Sequence, residues 1–383
     1  MASLPIPSAQ AQAHSAQLQS LIQQHIQEQG GWIDFATFMH MALYTPGLGY
    51  YSGGAKKFGF GGDFVTAPEI SPLFAQALAK QVAQVLQLTQ GNVLELGAGT
   101  GKLAADLLLT LAELDTLPTH YYILEVSDYL RQVQREQLKQ KLPTVLFEKL
   151  VWLDALPAVF QGVILGNEVL DAIPVHIVGK QQGVLIERGV VWQEGFAWQD
   201  KPLADGPLFN DVVALDLPDE YFTEMSPAAT GLIHSLANCL THGVILMLDY
   251  GFGASEYYHP QRTAGTLMCH FQHHAHDNPL INVGLQDITA HVNFTAIAEA
   301  AVTQQLQVLG YLNQANFLIN CGLLQLLERT SPEDIQVYAP MVSAVQKLLS
   351  PAEMGELFKV ILLGKGIDEP LIGAMQGDKR HTL

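Results

Sequence analysis

Gly97, Gly99 and Gly101 stand at alternate positions directly after the apolar run Val93-Leu94-Glu95-Leu96 and directly before Lys102. An apolar strand that turns through closely spaced glycines into a helix is suited to a nucleotide-like ligand. Glycine accepts positive φ and lets a ligand come close to the main chain. Further along, Tyr121-Tyr122-Ile123-Leu124-Glu125 reads as the next strand, ending in a carboxylate fewer than 30 residues after Gly97. An ionised carboxylate has only acceptor sites, so it can take two ribose hydroxyl protons at once. A solvated strand end is the plainer account of Glu125.

The glycine spacing narrows the ligand. Dinucleotide sites use G-x-G-x-x-G, where the third glycine lets the helix pack beside a pyrophosphate. Here the run is G-x-G-x-G, the form that goes with S-adenosylmethionine, which has no pyrophosphate to seat; a tight turn without any ligand has the same composition. The candidate cofactor set is Glu95, Gly97, Gly99, Gly101, Glu125, Val126 and Asn167, with Trp152 and Leu153, just after the third strand, flanking the adenine.

The run Asn167-Glu168-Val169-Leu170-Asp171 follows a fourth strand, and the carboxyl ends of strands in a doubly wound sheet face the ligand crevice. Methyl transfer from a sulfonium is an in-line displacement, so holding the acceptor at near-attack distance carries much of the catalysis. Where the acceptor is an amine or guanidine, carboxylates orient the cation and take its proton as the bond forms. Asn167, Glu168, Asp171 and Asp249 are the candidate catalytic residues. Glu168 and Asp171, three apart, are expected on one side of a helical turn; capping of the next helix is the alternative. Asp249, at the end of the following strand, is expected to point into the crevice.

Upstream, Thr66, Pro68 and Glu69 lie in Gly62-Asp63-Phe64-Val65-Thr66-Ala67-Pro68-Glu69-Ile70-Ser71, before a helix whose amino end suits the carboxylate of a methionine moiety. Glu69 would repel that group and suits an ammonium or a cationic substrate instead; helix capping competes equally. The stretch Cys269-His270-Phe271-Gln272-His273-His274-Ala275-His276 invites a metal, but no second ligand pair stands out. It is taken as a loop with histidines able to titrate near neutrality, and no metal is expected.

The elements that must position these residues alternate as strands 93–96, 120–125, 145–151, 162–166 and 243–249, with helices 102–114, 128–140 and 227–240. That order predicts an α/β fold, a doubly wound, Rossmann-like parallel sheet. Residues 1–18 read as frayed. Helices from Leu21 and Asp34 form an N-terminal helical cap, followed by a glycine-rich stretch between Pro46 and Gly62, containing Lys56 and Lys57, that suits a mobile loop or lid. The expected division is 1–59 for cap and loop and 60–383 for the cofactor-binding domain. That domain carries an antiparallel insertion at about 175–226 and an irregular one at about 252–292. Helices 294–304 and 314–328 and strands 306–311 and 358–363 complete a seven-stranded sheet.

Of 383 residues, 37 are acidic and 19 basic, a formal charge of −18. That field repels phosphate backbones and argues against a nucleic-acid partner, and it attracts a basic protein or simply keeps the chain soluble. Three separated cysteines without a C-x-x-C pair argue for a reducing compartment. With no basic residue before Lys56 and no apolar run of about 18 residues, a cytoplasmic protein without a membrane span is expected.

Taken in order, Gly62 to Ser71, Glu95 to Gly101, Asn167 to Pro174, Asp249-Tyr250-Gly251, Gly265-Thr266-Leu267 and Leu285 to Phe294 resemble the MidA-like family, which includes a mitochondrial complex I assembly factor. The match runs from about Phe35 to Gly364. It implies a class I methyltransferase fold, S-adenosylmethionine as cofactor and a protein arginine as acceptor, in the mitochondrial relatives on a peripheral-arm subunit of complex I. A noncatalytic assembly chaperone and a small-molecule methyltransferase are the rival functions. The chain has Ala98 and Thr100 where the family turn often has proline and arginine, and Asn293 where an aspartate is common, which removes a charge able to hold a cation.

Overall fold

The computed structural model describes residues 4–53 and 66–383. Lys56, Lys57, most of the glycine-rich stretch and the first four residues of the Gly62–Ser71 segment lie outside the described residues. By its internal contacts the chain divides into two units.

One unit comprises Val65–Leu170, Gly231–Ala254 and Val292–Leu383. Among the described residues the main path of its sheet runs through seven strands: β1 (Asn92–Leu96), β2 (Tyr121–Leu124), β3 (Leu150–Leu153), β4 (Phe160–Asn167), β5 (Leu240–Phe252), β6 (Gln307–Asn313) and β7 (Phe358–Lys365). They lie in the order β3-β2-β1-β4-β5-β7-β6, and the short strand Val292–Asn293 pairs with the end of β5. β1 to β5 run parallel, whereas β7 is antiparallel to both β5 and β6. The order reverses beside β1, so the carboxyl ends of β1 and β4 form the switch point where such sheets bind ligands.

These strands are apolar almost throughout, as a sheet covered on both faces requires. Helices α1 (Ala67–Ile70), α2 (Pro72–Thr89), α3 (Lys102–Glu113) and α4 (Asp128–Lys141) follow the glycine-rich stretch and the first two strands. Leu73, Phe74, Leu78, Val82 and Val85 of α2 join Leu103, Leu107 and Leu111 of α3 and Val163, Leu165 and Val244 of the sheet in one core. Two expectations change here. Residues 144–147 form a helical turn after Pro143, and the third strand begins only at Leu150. The helix expected over 314–328 breaks at Gly322, whose φ of +79° is left-handed, into Gln314–Asn320 and Leu323–Leu327.

The other unit comprises the described residues of Met1–Phe64 together with Asp171–Thr230 and Ser255–His291. An antiparallel sheet of five strands is built from His176–Gln181, Val184–Trp192, Phe196–Pro202, Tyr221–Met225 and Ile33–Asp34. The region expected to be irregular forms a three-stranded sheet from Met268–Phe271, His274–His276 and Asp287–Thr289. The frayed N-terminus is also corrected: a helix runs from Ala9 to Glu28, with the Ser8 hydroxyl capping Ala11 N–H. Leu18, Ile22 and Ile26, spaced by fours, bury one face in a core with Phe35, Phe38, Val175 and Val190.

Candidate active site

All three glycines of the turn after β1 are left-handed, with φ of 58°, 53° and 83°. Each does something different. A Cβ on Gly101 would press on Leu138 of α4 at 3.1 Å, so this glycine serves helix packing. A Cβ on Gly97 would sit in ordinary contact with Val169, at 3.5 Å. A Cβ on Gly99 would meet no atom of the described residues within 4 Å, which leaves that side of the main chain open. Gly97 N–H donates to the Leu124 carbonyl at 2.9 Å, which locks the turn to the end of β2.

Glu125 follows β2 directly and is buried. One of its oxygens accepts Ser127 N–H at 3.0 Å and the other accepts the Gln134 side-chain amide at 3.1 Å. Burial pushes its pKa up, and these hydrogen bonds partly offset that. Val126, the next residue, is 74 % exposed. Trp152 and Leu153 are the last residues of β3 rather than the first after it. The Trp152 indole N–H donates to Gln134 Oε1 at 3.0 Å, and the Arg135 guanidinium lies 5.1 Å from the ring centre. Arg131 binds the Glu125 carbonyl, the Leu153 carbonyl and the Asp154 carboxylate. Gln134, Arg131 and Arg135 were not singled out from the sequence. The signal available was a glutamine between Leu130 and Leu138 on the buried stripe of an otherwise polar helix.

Glu95, in β1, is buried against the Tyr121 hydroxyl, which donates at 2.7 Å. Burial raises its carboxyl to about 7, against the lowering effect of that hydrogen bond and with the Glu125 charge adding to the rise. Thr66 precedes α1 and makes no side-chain cap; Pro68 is buried. Glu69 accepts the Thr100 hydroxyl at 2.7 Å, which ties α1 to the glycine turn through a residue where the family often has arginine. The cap of α2 is Ser71, whose hydroxyl accepts Leu73 N–H.

At the end of β4, Asn167 and Glu168 do not enter a helix. Residues 168–173 are bend and turn, and Glu168 is left-handed, φ 53°. The expected helical pairing of Glu168 with Asp171 is therefore corrected: the left-handed residue ends any helical register, and Asp171 belongs to the other unit. Asn167 donates from Nδ2 to Glu168 Oε1 at 3.0 Å. Asp249 is buried in β5 and accepts Val169 N–H at 3.1 Å and Leu170 N–H at 2.8 Å on one oxygen, and Tyr250 N–H at 2.9 Å on the other. Three main-chain donors make it the anchor of the turn that carries Glu168. Asn293 caps the helix Phe294–Thr303 by accepting Ala296 N–H, a task asparagine and aspartate do equally well.

Within the other unit Asp171 is buried, and its charge acts on Tyr51, whose hydroxyl donates to Asp287 at 2.8 Å. The histidine-rich segment forms a hairpin, with Cys269 opposite His276 and with His273 and His274 exposed. Among the described residues the group with metal-ligand geometry is elsewhere: Asp34, His176 and Glu187. His176 Nδ1 lies 2.6 Å from Glu187 and 4.0 Å from Asp34, an ion-pair arrangement.

The residues fit S-adenosylmethionine on three counts: an open glycine main chain, a buried carboxylate after the second strand, and an indole near the end of the third. Comparison with known proteins agrees. The family model described as "Putative S-adenosyl-L-methionine-dependent methyltransferase" matches residues 77–312. A protein from Burkholderia thailandensis, crystallised bound to S-adenosyl-homocysteine, is 48% identical over 100% of both chains, with a TM-score of 0.96. The mitochondrial protein arginine methyltransferase NDUFAF7 of Homo sapiens is 28% identical over 87% of this chain and 80% of its own length. The NDUFAF7 homolog of Drosophila melanogaster is 28% identical over 88% and 82%. Both are named mitochondrial, and this overturns the expectation of a cytoplasmic protein. Among the described residues no helix is long and apolar enough to cross a membrane. With the match covering more than half of its length, the chain belongs to this family of S-adenosyl-L-methionine-dependent methyltransferases.

Proposed function

We propose that the protein transfers a methyl group from S-adenosylmethionine to an arginine side chain of another protein, and that the acceptor belongs to respiratory complex I. The observation that carries the reading is the placement of the open Gly99 turn, Glu125 and Asn167-Glu168 at the carboxyl ends of the adjacent parallel strands β1, β2 and β4. The names of the NDUFAF7 relatives support arginine as acceptor and a protein as partner.

In this reading Gly97, Gly99 and Gly101 shape the cofactor cradle, Glu125 accepts the ribose hydroxyls, and Val126, Trp152 and Leu153 line the adenine. Glu95, Thr66, Pro68 and Glu69 border the methionine end. The cofactor, when bound, supplies an electrophilic methyl group on a sulfonium. Glu168 and Asn167 would hold the acceptor nitrogen for in-line displacement, and Glu168 would take the proton that the guanidinium loses as the N–C bond forms and the methyl–sulfur bond breaks, its electron pair leaving with S-adenosylhomocysteine. Asp249 keeps the Glu168 turn in place.

The test is to incubate the protein with methyl-labelled S-adenosylmethionine and a lysate of its source organism depleted of it. Labelled methylarginine in a protein band supports the proposal and names the client. Cofactor binding without any labelled protein contradicts it and favours a small-molecule acceptor.

A further inference from the structure

Gln134 lies two turns into α4 and is fully buried, in a helix whose other side chains are mostly polar and exposed. Burying a primary amide is costly unless its hydrogen bonds are made. Here they are made to three separate parts of the candidate cofactor cradle. Nε2 donates to the Gly99 carbonyl at 3.0 Å and to Glu125 Oε2 at 3.1 Å, while Oε1 accepts the Trp152 indole N–H at 3.0 Å. The amide orientation is settled by its partners: a carbonyl and a carboxylate can only accept, and an indole N–H can only donate.

We infer that Gln134 is the positioning residue that sets the nucleoside selectivity of the site, by holding the Gly99 turn, the Glu125 carboxylate and the Trp152 indole in register. The inference rests on the cofactor reading given above. Both Gln134 amide hydrogens are taken up by protein acceptors and its oxygen accepts the indole N–H, so it acts through Glu125 and Trp152. Its hydrogen bond turns the Glu125 carboxylate about its own axis, and with Ser127 N–H on the other oxygen it leaves defined lone pairs for a diol. Its bond to Trp152 fixes the plane of the indole, which the Arg135 guanidinium flanks. Leu130 and Leu138, one turn before and after, hold the amide in place. A side chain of the same length without the amide would fill the space and orient nothing.

Calorimetry on the full-length protein tests this with S-adenosylhomocysteine, 5′-methylthioadenosine and 2′-deoxy-5′-methylthioadenosine as probes. Gln134→Met, close in volume, is expected to weaken S-adenosylhomocysteine about 10- to 100-fold, the loss typical of hydrogen bonds to a charged group. The diagnostic result is the ratio of the two nucleosides. Wild type should prefer the ribose form by about tenfold, as a hydrogen-bonded hydroxyl predicts, and Gln134→Met should bring the ratio to within roughly twofold of unity. In a Glu125→Gln background the same change should no longer alter the ratio, since the two act as one unit. Gln134→Leu, apolar like its buried neighbours Leu130 and Leu138, provides a second variant with the donors removed. Weaker binding with an unchanged ribose preference would mean a general packing role and overturn the inference, as would wild-type affinity in both variants. Failure of wild type to bind S-adenosylhomocysteine would instead overturn the cofactor reading and this inference with it.

Discussion

Asp249 accepts the main-chain N–H groups of Val169 and Leu170 on one carboxylate oxygen, across a parallel strand pair and 80 and 79 residues along the chain. The polar group near the end of β5 thus holds the chain after β4, and the turn it anchors carries the half-buried Glu168. Replacing Asp249 by alanine strands these buried donors. The expected result is a loss of about 2–4 kcal/mol in chemical denaturation, on the scale of unsatisfied buried groups bonded to a charge. Asp249→Asn, which keeps one acceptor oxygen, should lose roughly half as much. Equal stability of all three proteins would contradict the anchoring role.

Glu168 is left-handed where a glycine would be at ease. Backbone strain of about 1–3 kcal/mol at such a position persists when the surroundings impose it, and functional sites are where it gathers. Glu168→Gly should therefore leave the melting temperature unchanged or higher, while turnover falls by about 100-fold or more, as expected for a group acting in proton transfer. Loss of stability with retained turnover would reverse the assignment.

Glu95 gives a pH prediction. Its folded pKa, about 7, lies above the usual carboxylate value, so the folded state holds the proton more tightly than the unfolded chain. The stability this contributes is fully present below about pH 4.5 and is lost as pH rises to about 7. Glu95→Gln keeps an acceptor for the Tyr121 hydroxyl and removes the titration. Thermal melts should show the variant gaining on wild type between pH 5 and pH 8, and a constant difference would contradict it.

His176 has the sign of an ion-paired imidazole. Burial works against its charge, but the hydrogen bond to Glu187 and the Asp34 and Glu187 charges hold its pKa above the ordinary value. Its contribution is present in full below the unfolded pKa, about 6.5, and disappears as pH rises through the folded one. His176→Gln should melt below wild type at pH 6 and close to it at pH 9.

The sequence carried the parts of the site whose chemistry is local. A glycine triplet after an apolar strand needs positive φ wherever it occurs, and a carboxylate ending the next strand lands beside it in any such sheet. The parts it did not carry depend on distant segments meeting. Gln134 looks like one more polar residue of a polar helix until α4 docks on the Gly99 turn. Glu168 has no intrinsic preference for its left-handed conformation; Asp249 and the end of β4 impose it. The antiparallel unit draws on three stretches of chain, of which the antiparallel insertion expected at about 175–226 is one. The helix from Ala9 reads as frayed up to residue 18 because its polar residues conceal the fourfold spacing of Leu18, Ile22 and Ile26.

The most direct measurement is calorimetric titration of S-adenosylhomocysteine into wild type and Gly99→Val, paired with melting curves. Gly99 is left-handed and a Cβ there meets no atom of the described residues within 4 Å, so a branched side chain strains the turn and would fill the proposed cradle. Wild type should bind one equivalent and, at 100 times its dissociation constant, gain about 2.7 kcal/mol of stability. Gly99→Val should remain folded and show neither heat nor shift. The absence of both in wild type, or equal binding by the variant, would contradict a methyltransferase cofactor site at this turn.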